Sequence, residues 1–576
     1  MTKKNDSNRA RLLIVWGVLV AAALGLGCRL YYLQIVRGKE LLDKARQQQT
    51  VNLRPYIPRR SIVDRQDNVI ATDRIVYELY AHPQQFKISR QDIAEQLAKI
   101  LDNYTPNKLT QIFARQKSGI RLAYALPEGS AERVRRLSLD GLELIEHYYR
   151  YYPQQETFAD VIGYVKRGEH KGQAGIEYSQ QQLLQRSVST SKVGRYGNGT
   201  LMPQYLPSGL LQVDELRLQL TLDIRLQRAT RMALKQQMKK FNGKRGAAIV
   251  MDVRDGSILA LVCEPTYNPN KYGEYNLELF KNWAVSDLYE PGSTFKPINV
   301  AIALDAKVIK PDLIVNDTGK IKVDGWNIYN HDYWNTQKGR GEIGIAKILQ
   351  HSSNVGMIKI TDKLGRADYY QHLEDLGLKE KVGVDLPGDA PGYLKDKKLF
   401  TSKSIEAATA AFGQGLSLTP LKLVQLHAAI ANGGKLVTPH VVRGLIDIEG
   451  EIRWQANLKS RKLFSEQTSR TVLEMMETVV TEGSGQKAII EGYRIAGKTG
   501  TAQKASKNGG YKQGAKIVSF VAILPVEEPR YVVLTVVDEP RKAHAYGSTV
   551  AAPIAKSIMD ALIAIEGLPP ANIKKN

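Results

Sequence analysis

The chain is poor in the residues that build disulfide frameworks and metal sites. It has two cysteines, and Cys28 lies in an apolar run that makes pairing with Cys263 unfavourable, so no disulfide framework is expected. Its nine histidines are scattered without metal-ligand spacing. We find no internal repeat or low-complexity tract between residues 37 and 215. We therefore expect a globular protein with neither a metal nor a cofactor.

Negative charge is also in short supply, with 81 Lys and Arg against 58 Asp and Glu and a net charge of +23. A basic balance of this size implies an anionic partner, which is a nucleic acid, a membrane surface or an acidic polymer. The sequence lacks a recognisable RNA-binding motif and a long Lys/Arg run. We therefore expect no nucleic acid partner. The length favours three or four domains or segments.

A single long apolar run lies near the N-terminus. Residues 12–28 carry no charge, and apolar and tyrosine residues continue to Val36, which is enough to span a membrane. We predict a cytoplasmic tail at 1–11, a transmembrane anchor at 12–36 and one exported body, inserted in the plasma (inner) membrane. Basic residues flank both ends and do not fix this orientation. A cleaved signal peptide is the alternative.

The remaining chain divides into two predicted domains and a tail. Residues 37–215 mix strand-like runs (61–71, 75–81) with helix-like ones (41–49, 90–101, 131–137) and include a loop at 187–200. They contain no residue pattern that looks catalytic, and we predict a mixed α/β spacer or docking module, called the pedestal below. Residues 216–567 form the second domain, and 568–576 a short tail.

The second domain reads as α+β. Apolar runs flank Asp255-Gly256 and predict a hairpin of 246–253 with 258–263. Strands are predicted at 494–504, 517–524 and 531–538, with a polar loop at 505–516, and helices at 224–240, 343–350, 421–432, 468–481 and 549–565. Strands with short connections predict an antiparallel sheet covered by helices.

The candidate nucleophile is Ser293, in Glu290-Pro291-Gly292-Ser293-Thr294-Phe295-Lys296-Pro297. We expect a helix to begin at about Ser293, which places Lys296 on the same face one turn later. A serine beside a lysine at a helix N-terminus is a plausible activated nucleophile. Ser-x-x-Lys also occurs at 189–192 and at 484–487, so the motif alone does not decide.

Two further motifs decide which of the three Ser-x-x-Lys occurrences contains the candidate nucleophile. Ser352-Ser353-Asn354 and the single Lys498-Thr499-Gly500-Thr501 follow Ser293 in the order Ser-x-x-Lys, Ser-x-Asn, Lys-Thr-Gly. Ser189 precedes the domain. Ser484 leaves too little chain before Lys498 for a middle motif, and the Ser-x-Asn at 506–508 follows Lys-Thr-Gly. The ordered triple singles out Ser293.

Each member has a task in acyl transfer. Ser293 attacks a carbonyl, and Lys296 is its base if desolvation and the charge of Lys498 lower its pKa. Ser352 relays a proton, and Asn354 holds a substrate amide. Gly500 permits close backbone approach. The Thr499 and Thr501 hydroxyls suit a carboxylate, and the N–H groups of Ser293 and Thr501 suit an oxyanion hole.

The triple resembles that of the penicillin-binding proteins and serine β-lactamases. The chain is similar to class B penicillin-binding proteins over nearly its whole length, through the motifs at 59–65 (with Ser61 where glycine is usual), 175–178, 221–227, 412–415 and 419–420. The motifs at 289–293 and 352–356 look more like the division (FtsI) group than the elongation group.

This resemblance implies that 37–215 is an elongated, non-catalytic mixed α/β pedestal. It also implies a D,D-transpeptidase that cross-links peptidoglycan stem peptides in septal wall synthesis and is a target of β-lactams. It also implies a membrane-embedded glycan polymerase and other division proteins as partners. The alternatives are an elongation-type transpeptidase, a β-lactamase or antibiotic sensor, and a non-catalytic division scaffold.

Overall fold

The computed structural model describes residues 3–53, 57–186, 191–194, 214–505 and 510–571. Ser189, Ser506, Asn508, most of the predicted 187–200 loop and the end of the C-terminal tail lie outside these residues. Up to residue 194 the elements are α1 (Lys3–Tyr31), α2 (Gly38–Gln49), β1 (Thr50–Leu53), β2 (Ile62–Val63), β3 (Val69–Ala81), α3 (Arg90–Ala98), α4 (Pro106–Arg115), β4 (Ile120–Leu126), α5 (Glu128–Arg136), β5 (Leu142–Tyr151), α6 (Ala159–Ile162), α7 (Gly175–Ser179), α8 (Gln181–Leu184) and β6 (Ser191–Gly194).

The elements that follow, from residue 217 onward, are β7 (Arg217–Leu220), α9 (Ile224–Phe241), β8 (Arg245–Asp252), β9 (Ile258–Glu264), α10 (Trp283–Ser286), α11 (Lys296–Asp305), β10 (Ile314–Asp317), β11 (Lys320–Val323), β12 (Trp326–Tyr329), α12 (Tyr333–Thr336), β13 (Gly341–Gly344), α13 (Ile345–Gln350), α14 (Asn354–Thr361), α15 (Arg366–Asp375), β14 (Tyr393–Leu394), α16 (Lys397–Ser402), α17 (Ser404–Ala410), β15 (Leu416–Ser417), α18 (Pro420–Ala431), β16 (Lys435–Val437), β17 (Val442–Ile446), β18 (Ile452–Trp454), β19 (Ser460–Lys462), α19 (Glu466–Thr481), β20 (Ala496–Ala505), β21 (Tyr511–Leu524), β22 (Tyr531–Asp538) and α20 (Ala552–Glu566).

Residues 1–58 and 186–214 form one unit, in which α1 carries the apolar run and β1 pairs antiparallel with β6. The stretch Arg9–Val36 is long and apolar enough to cross a membrane, and none of its most apolar window is buried against protein. Leu13 and Trp16 are more than 60% exposed. A helix that is apolar all round and uncovered needs lipid around it, so the N-terminal helix is a membrane anchor.

A second stretch, Gly547–Glu566, passes the same length and composition test. It contains α20, whose Ile554, Ile558 and Leu562 are fully buried within the protein. Its apolar side is therefore already covered by protein, which identifies it as a core helix of the second unit.

The second unit, residues 59–185 and 215–576, contains the predicted antiparallel sheet. Its five strands follow the order β20-β21-β22-β8-β9, and every neighbouring pair is antiparallel. The α+β class, the hairpin around Asp255-Gly256 and the three C-terminal strands are confirmed.

Both faces of this sheet are covered by helices, as alternate residues of β8 show. Ala248 and Val250 pack in one apolar cluster with Leu234 of α9 and Ile558 of α20. Ile249, on the opposite side, packs in the cluster that contains α11 and α18. Because side chains alternate across a strand, α11 and α18 cover one face of the sheet and α9 and α20 the other.

A second sheet combines strands from both sides of the predicted domain boundary. Its order is β18-β17-β7-β2-β3-β4, with β5 also paired to β3, and β2 and β7 pair in parallel. Strands of the predicted pedestal thus hydrogen-bond to strands of the predicted catalytic domain. The boundary at 215/216 stays a prediction.

Two predicted elements have different limits in the structure. The strand expected at 61–71 is two strands, because the Asp64 carboxylate accepts hydrogen bonds from the Gln66 and Asn68 backbone N–H groups and closes a turn. The loop expected at 505–516 is shorter, since β21 already begins at Tyr511, opposite Ala505. The first residues of β21 are polar and exposed, and such a composition is typical of a loop.

A buried ion network holds the start of the second unit together. Glu177 is fully buried and accepts hydrogen bonds from the Arg150 side chain at 2.6 Å, while Arg59 lies 2.9 Å from its other oxygen. Arg150 also reaches Asp73 at 3.1 Å. Buried charges are tolerated only when paired in this way, which explains why Arg59 and Glu177 both lie in motifs noted in the sequence.

Candidate active site

Ser293 lies on a tight turn that precedes α11. Residues Gly292–Phe295 form a 3₁₀ turn that continues into the α-helix at Lys296. The helical segment therefore begins at about Ser293, as expected, but its first turn is 3₁₀. Pro297 lacks an N–H and fits only in the first helical turn, which places the α-helix start beside it. Residues three apart eclipse in a 3₁₀ turn, so Ser293 and Lys296 still share one side.

The Lys296 side chain is fully buried and ends among the atoms of the second motif. Its Nζ lies 2.5 Å from the Ser352 carbonyl oxygen, 3.2 Å from the Ser352 Oγ and 2.8 Å from the Asn354 Oδ1. Burial, followed by the neighbouring charge of Lys498, holds the pKa of Lys296 well below its usual range, although Asp317 opposes the shift. A lysine in this environment favours the neutral amine.

Lys498 approaches the same serine from β20. Its Nζ lies 3.1 Å from Ser352 Oγ and 3.2 Å from the Thr499 carbonyl oxygen, and its side chain is fully buried. Burial lowers the pKa of Lys498 to about 7. The Ser352 hydroxyl therefore bridges two buried amines. Ser352 itself has φ +55°, a left-handed conformation that costs a non-glycine residue energy and often marks a functional site.

Small residues let β20 lie directly against Gly292–Phe295, which we call the nucleophile turn. A Cβ on Gly500 would approach Ser519 Oγ to 2.4 Å and Thr294 Cγ2 to 3.0 Å, and a Cβ on Gly547 would approach the Gly500 carbonyl oxygen to 2.5 Å. A side chain at either position would push the strand away. The structure thus places the turn that carries Ser293 against β20, the strand from which Lys498 reaches Ser352.

Three other predicted site residues differ in their hydrogen bonds. The Thr501 hydroxyl accepts a hydrogen bond from the Gly547 N–H at 3.1 Å. The Asn354 amide donates to the Tyr329 carbonyl oxygen at 2.9 Å, which leaves one of its two amide hydrogens for another acceptor. Among the described residues, the partly exposed Ser293 hydroxyl makes no hydrogen bond. Such contacts are often long before substrate binds.

Ser484 has a role at the site that the sequence did not predict. The sequence excludes Ser484 as a nucleophile by its position, and its hydroxyl lies 2.7 Å from Thr499 Oγ1. It therefore orients one of the hydroxyls expected to meet a carboxylate. The Ser-x-x-Lys pattern at 484–487 marked Ser484 only as a possible nucleophile. No local sequence pattern predicted its contact with Thr499.

A buried pair, Asp317 and Asn330, supports the Ser-x-Asn motif. Asn330 Nδ2 donates to both Asp317 oxygens at 2.8 Å, and Asn330 Oδ1 accepts from the Asn354 N–H at 2.8 Å and the Ser353 hydroxyl at 3.2 Å. The pair fixes the first turn of α14 from outside. Both residues lie in a polar stretch whose composition predicts only loops.

His427 holds the backbone of the nucleophile turn through a hydrogen bond. It lies fully buried on α18, and its Nε2–H donates to the Thr294 carbonyl oxygen at 2.8 Å. Burial lowers the pKa of His427 to about 4, so the ring is neutral at pH 7. Within the described ranges, we find no cluster of three His, Cys, Asp or Glu side chains arranged to hold a metal.

The neutral state of His427 makes stability depend on pH. Its pKa is about 4 when folded against an ordinary 6.5, so between these values the unfolded chain binds more protons and the free energy of unfolding falls as the pH falls. Below both pKa values, the free energy of unfolding is lower than at neutral pH by about 3 kcal/mol. We expect His427→Gln to weaken the drop in thermal midpoint between pH 7.5 and 5. The exposed control His544→Gln should leave the drop unchanged, and an unchanged drop in His427→Gln would contradict the assignment.

Comparison with known proteins agrees with this architecture. The model of the penicillin binding protein transpeptidase domain matches residues 246–560, and that of the penicillin-binding protein dimerisation domain matches residues 56–201. Penicillin binding protein 3 of Mycobacterium tuberculosis, solved in complex with aztreonam, has a similar fold, with a TM-score of 0.67 and 24% identity over 89% of this chain and 97% of that one.

Two curated relatives match at higher identity. A peptidoglycan D,D-transpeptidase FtsI homolog of Mesostigma viride is 42% identical over 99% of this chain and 98% of its own length. Stage V sporulation protein D of Bacillus subtilis is 32% identical over 97% of this chain and 86% of its own. With a transpeptidase domain that covers more than half of its length, the chain belongs to the class B penicillin-binding proteins.

Proposed function

We propose that the protein is a membrane-anchored serine D,D-transpeptidase that cross-links peptidoglycan stem peptides, and that β-lactams acylate the same serine. The observation that carries this proposal is the Ser352 hydroxyl, which lies within 3.2 Å of both Lys296 Nζ and Lys498 Nζ. This arrangement provides a proton path beside the candidate nucleophile. The FtsI homolog of Mesostigma viride is named as a peptidoglycan D,D-transpeptidase, which supports the proposal.

In the acylation step, Ser293 Oγ attacks the carbonyl carbon of the D-Ala-D-Ala peptide bond. The neutral amine of Lys296 accepts the hydroxyl proton, which is possible because burial and Lys498 favour its unprotonated form. The C–N bond then breaks, and the proton reaches the departing amine of D-Ala through Ser352. The amine of a second stem peptide then attacks the ester carbonyl carbon. The C–O bond to Ser293 breaks as the new amide forms, and the proton of the attacking amine returns to Ser293 Oγ through Lys296.

The other wall of the cleft binds and orients the substrate. The backbone N–H groups of Ser293 and Thr501 stabilise the oxyanion, and loss of one such donor typically costs a factor of about 10²–10³ in rate. The Thr499 and Thr501 hydroxyls and the charge of Lys498 receive the terminal carboxylate. Asn354 offers its free amide hydrogen to a substrate carbonyl.

We further propose a role in division, with a cytoplasmic N-terminus and a single membrane pass. The motifs at 289–293 and 352–356 and the FtsI homolog support division. A membrane-embedded glycan polymerase and other division proteins are the partners that this role requires. Such a polymerase would supply the uncross-linked strands that the transpeptidase consumes.

Covalent labelling by a fluorescent penicillin tests the acyl transfer. We expect no adduct with Ser293→Ala and acylation slowed by about 10² or more with Lys296→Ala, because the nucleophile loses its base. Ser484→Ala should keep the adduct and react more slowly, since only the orientation of Thr499 changes. Thermal midpoints of all variants serve as the folding control. Equal labelling of Ser293→Ala and wild type would refute the proposal.

Localisation and complementation test the division role. A tagged copy should concentrate at the division site, and the Ser293→Ala protein should fail to rescue cells depleted of the wild type. A sidewall pattern would instead favour the elongation-type alternative. Rescue by Ser293→Ala would favour the non-catalytic scaffold.

A further inference from the structure

Residues 410–418 contain one of the motifs noted in the sequence and have no part in the acyl transfer described above; we call them the cradle. The Tyr289 N–H donates to the Leu418 carbonyl oxygen, and the Leu418 N–H donates to the Tyr289 carbonyl oxygen, both at 3.0 Å. The Gly292 N–H donates to the Gly413 carbonyl oxygen at 2.9 Å. These three backbone hydrogen bonds hold the cradle against the chain that leads into the nucleophile.

The cradle also holds the helix that follows the nucleophile. The side-chain amide of Asn299, fully buried on α11, donates to the Ala410 and Ala411 carbonyl oxygens at 3.0 and 2.9 Å. The approach on the other side is close, because a Cβ on Gly413 would lie 2.1 Å from the Gly292 carbonyl oxygen. A side chain at this position would push the cradle away. The cradle therefore fixes the chain before and after the nucleophile.

Glu290 adds a side-chain contact between the cradle and the chain beside the nucleophile turn. Its Oε1 accepts a hydrogen bond from the Gly415 N–H at 2.9 Å. The residue is half-buried, and burial raises the pKa of Glu290, although the Gly415 N–H and the Tyr511 hydroxyl oppose the shift. The carboxyl group of Glu290 thus connects the backbone next to Ser293 with the motif at 412–415.

We propose that Glu290 is a positioning residue for acylation, which locks the cradle against the nucleophile turn and thereby fixes the direction of Ser293 Oγ. This proposal rests on the transpeptidase function proposed above. Among the described residues the Ser293 hydroxyl makes no hydrogen bond of its own, so its direction depends on the backbone of the turn. A displacement of about 1 Å at a reacting group can lower a rate by about 10². A contact that never touches the substrate therefore limits the reaction.

The test measures acylation of the full chain in detergent over a range of penicillin concentrations. We expect Glu290→Ala to lower the limiting acylation rate about ten-fold or more, because the turn loses the contact that fixes Ser293. The penicillin concentration that gives half the limiting rate should change less than about three-fold, since no group that binds the ligand is altered. Glu290→Gln should recover the rate to within about three-fold, because its amide oxygen accepts the same N–H.

Asp305→Ala is the matched control, about 14 Å further along α11. The Asp305 carboxylate accepts a hydrogen bond from the Ser465 N–H at 2.8 Å, so the variant loses a similar contact at the far end of the same helix. It should lower the thermal midpoint but change acylation less than about two-fold. Gly413→Ala should reproduce the acylation loss of Glu290→Ala, because its added Cβ displaces the cradle by a separate route. Where Glu290→Ala does not fold, Glu290→Asp, whose carboxylate is one methylene short, takes its place.

Hydrogen exchange followed by mass spectrometry gives a second readout that does not depend on activity. Peptides that cover 410–418 should exchange faster in Glu290→Ala than in the wild type, and Asp305→Ala should leave them unchanged. Unchanged exchange in Glu290→Ala would contradict the contact on which the proposal depends.

Acylation of Glu290→Ala within about two-fold of the wild type would overturn the proposal, as would equal losses in Glu290→Ala and Asp305→Ala. A loss that Glu290→Gln does not recover would also overturn it, since the hydrogen bond to the Gly415 N–H would then not be the cause. Absence of penicillin acylation in the wild type would instead refute the transpeptidase function itself.

Discussion

Two lysines buried against one serine hydroxyl are the constraint on which the rest of the site depends. Lys296 and Lys498 are both fully buried, and both lie within 3.2 Å of Ser352 Oγ. Two ammonium charges buried this close together repel each other, and burial with the charge of Lys498 holds the pKa of Lys296 well below its usual range. The pair therefore favours a neutral amine beside the Ser352 hydroxyl, which an ordinary lysine does not provide.

Holding this pair together requires three separate parts of the chain to meet at close range. The first turn of α11 carries Lys296, the turn before α14 carries Ser352, and β20 carries Lys498. Gly500 and Gly547 remove the side chains that would keep these parts apart. His427 and Asn330 then satisfy backbone groups of the surrounding turns, so the cleft is supported by contacts that never touch a substrate.

The order of the three motifs was enough to predict which residues meet, because each motif has a recognisable residue pattern and a place in the chain. Continuous apolar runs were likewise enough for β8, β9 and β22, whose two faces are both buried. The start of β21 was missed because its first residues are polar and exposed. Ser484, Asn330 and His427 could not be predicted, since their roles arise from partners between 15 and 133 residues away.

The pH dependence of acylation tests the lowered pKa of Lys296, the centre of this account, most directly. The second-order rate constant for a penicillin would be followed from pH 5 to pH 10.5 with the full chain. Because Lys296 must be neutral to accept the Ser293 proton, the account predicts that the rate rises with an apparent pKa far below the value of about 10.4 for a free lysine. A rate that stays low through neutral pH and rises only near pH 10 would contradict it.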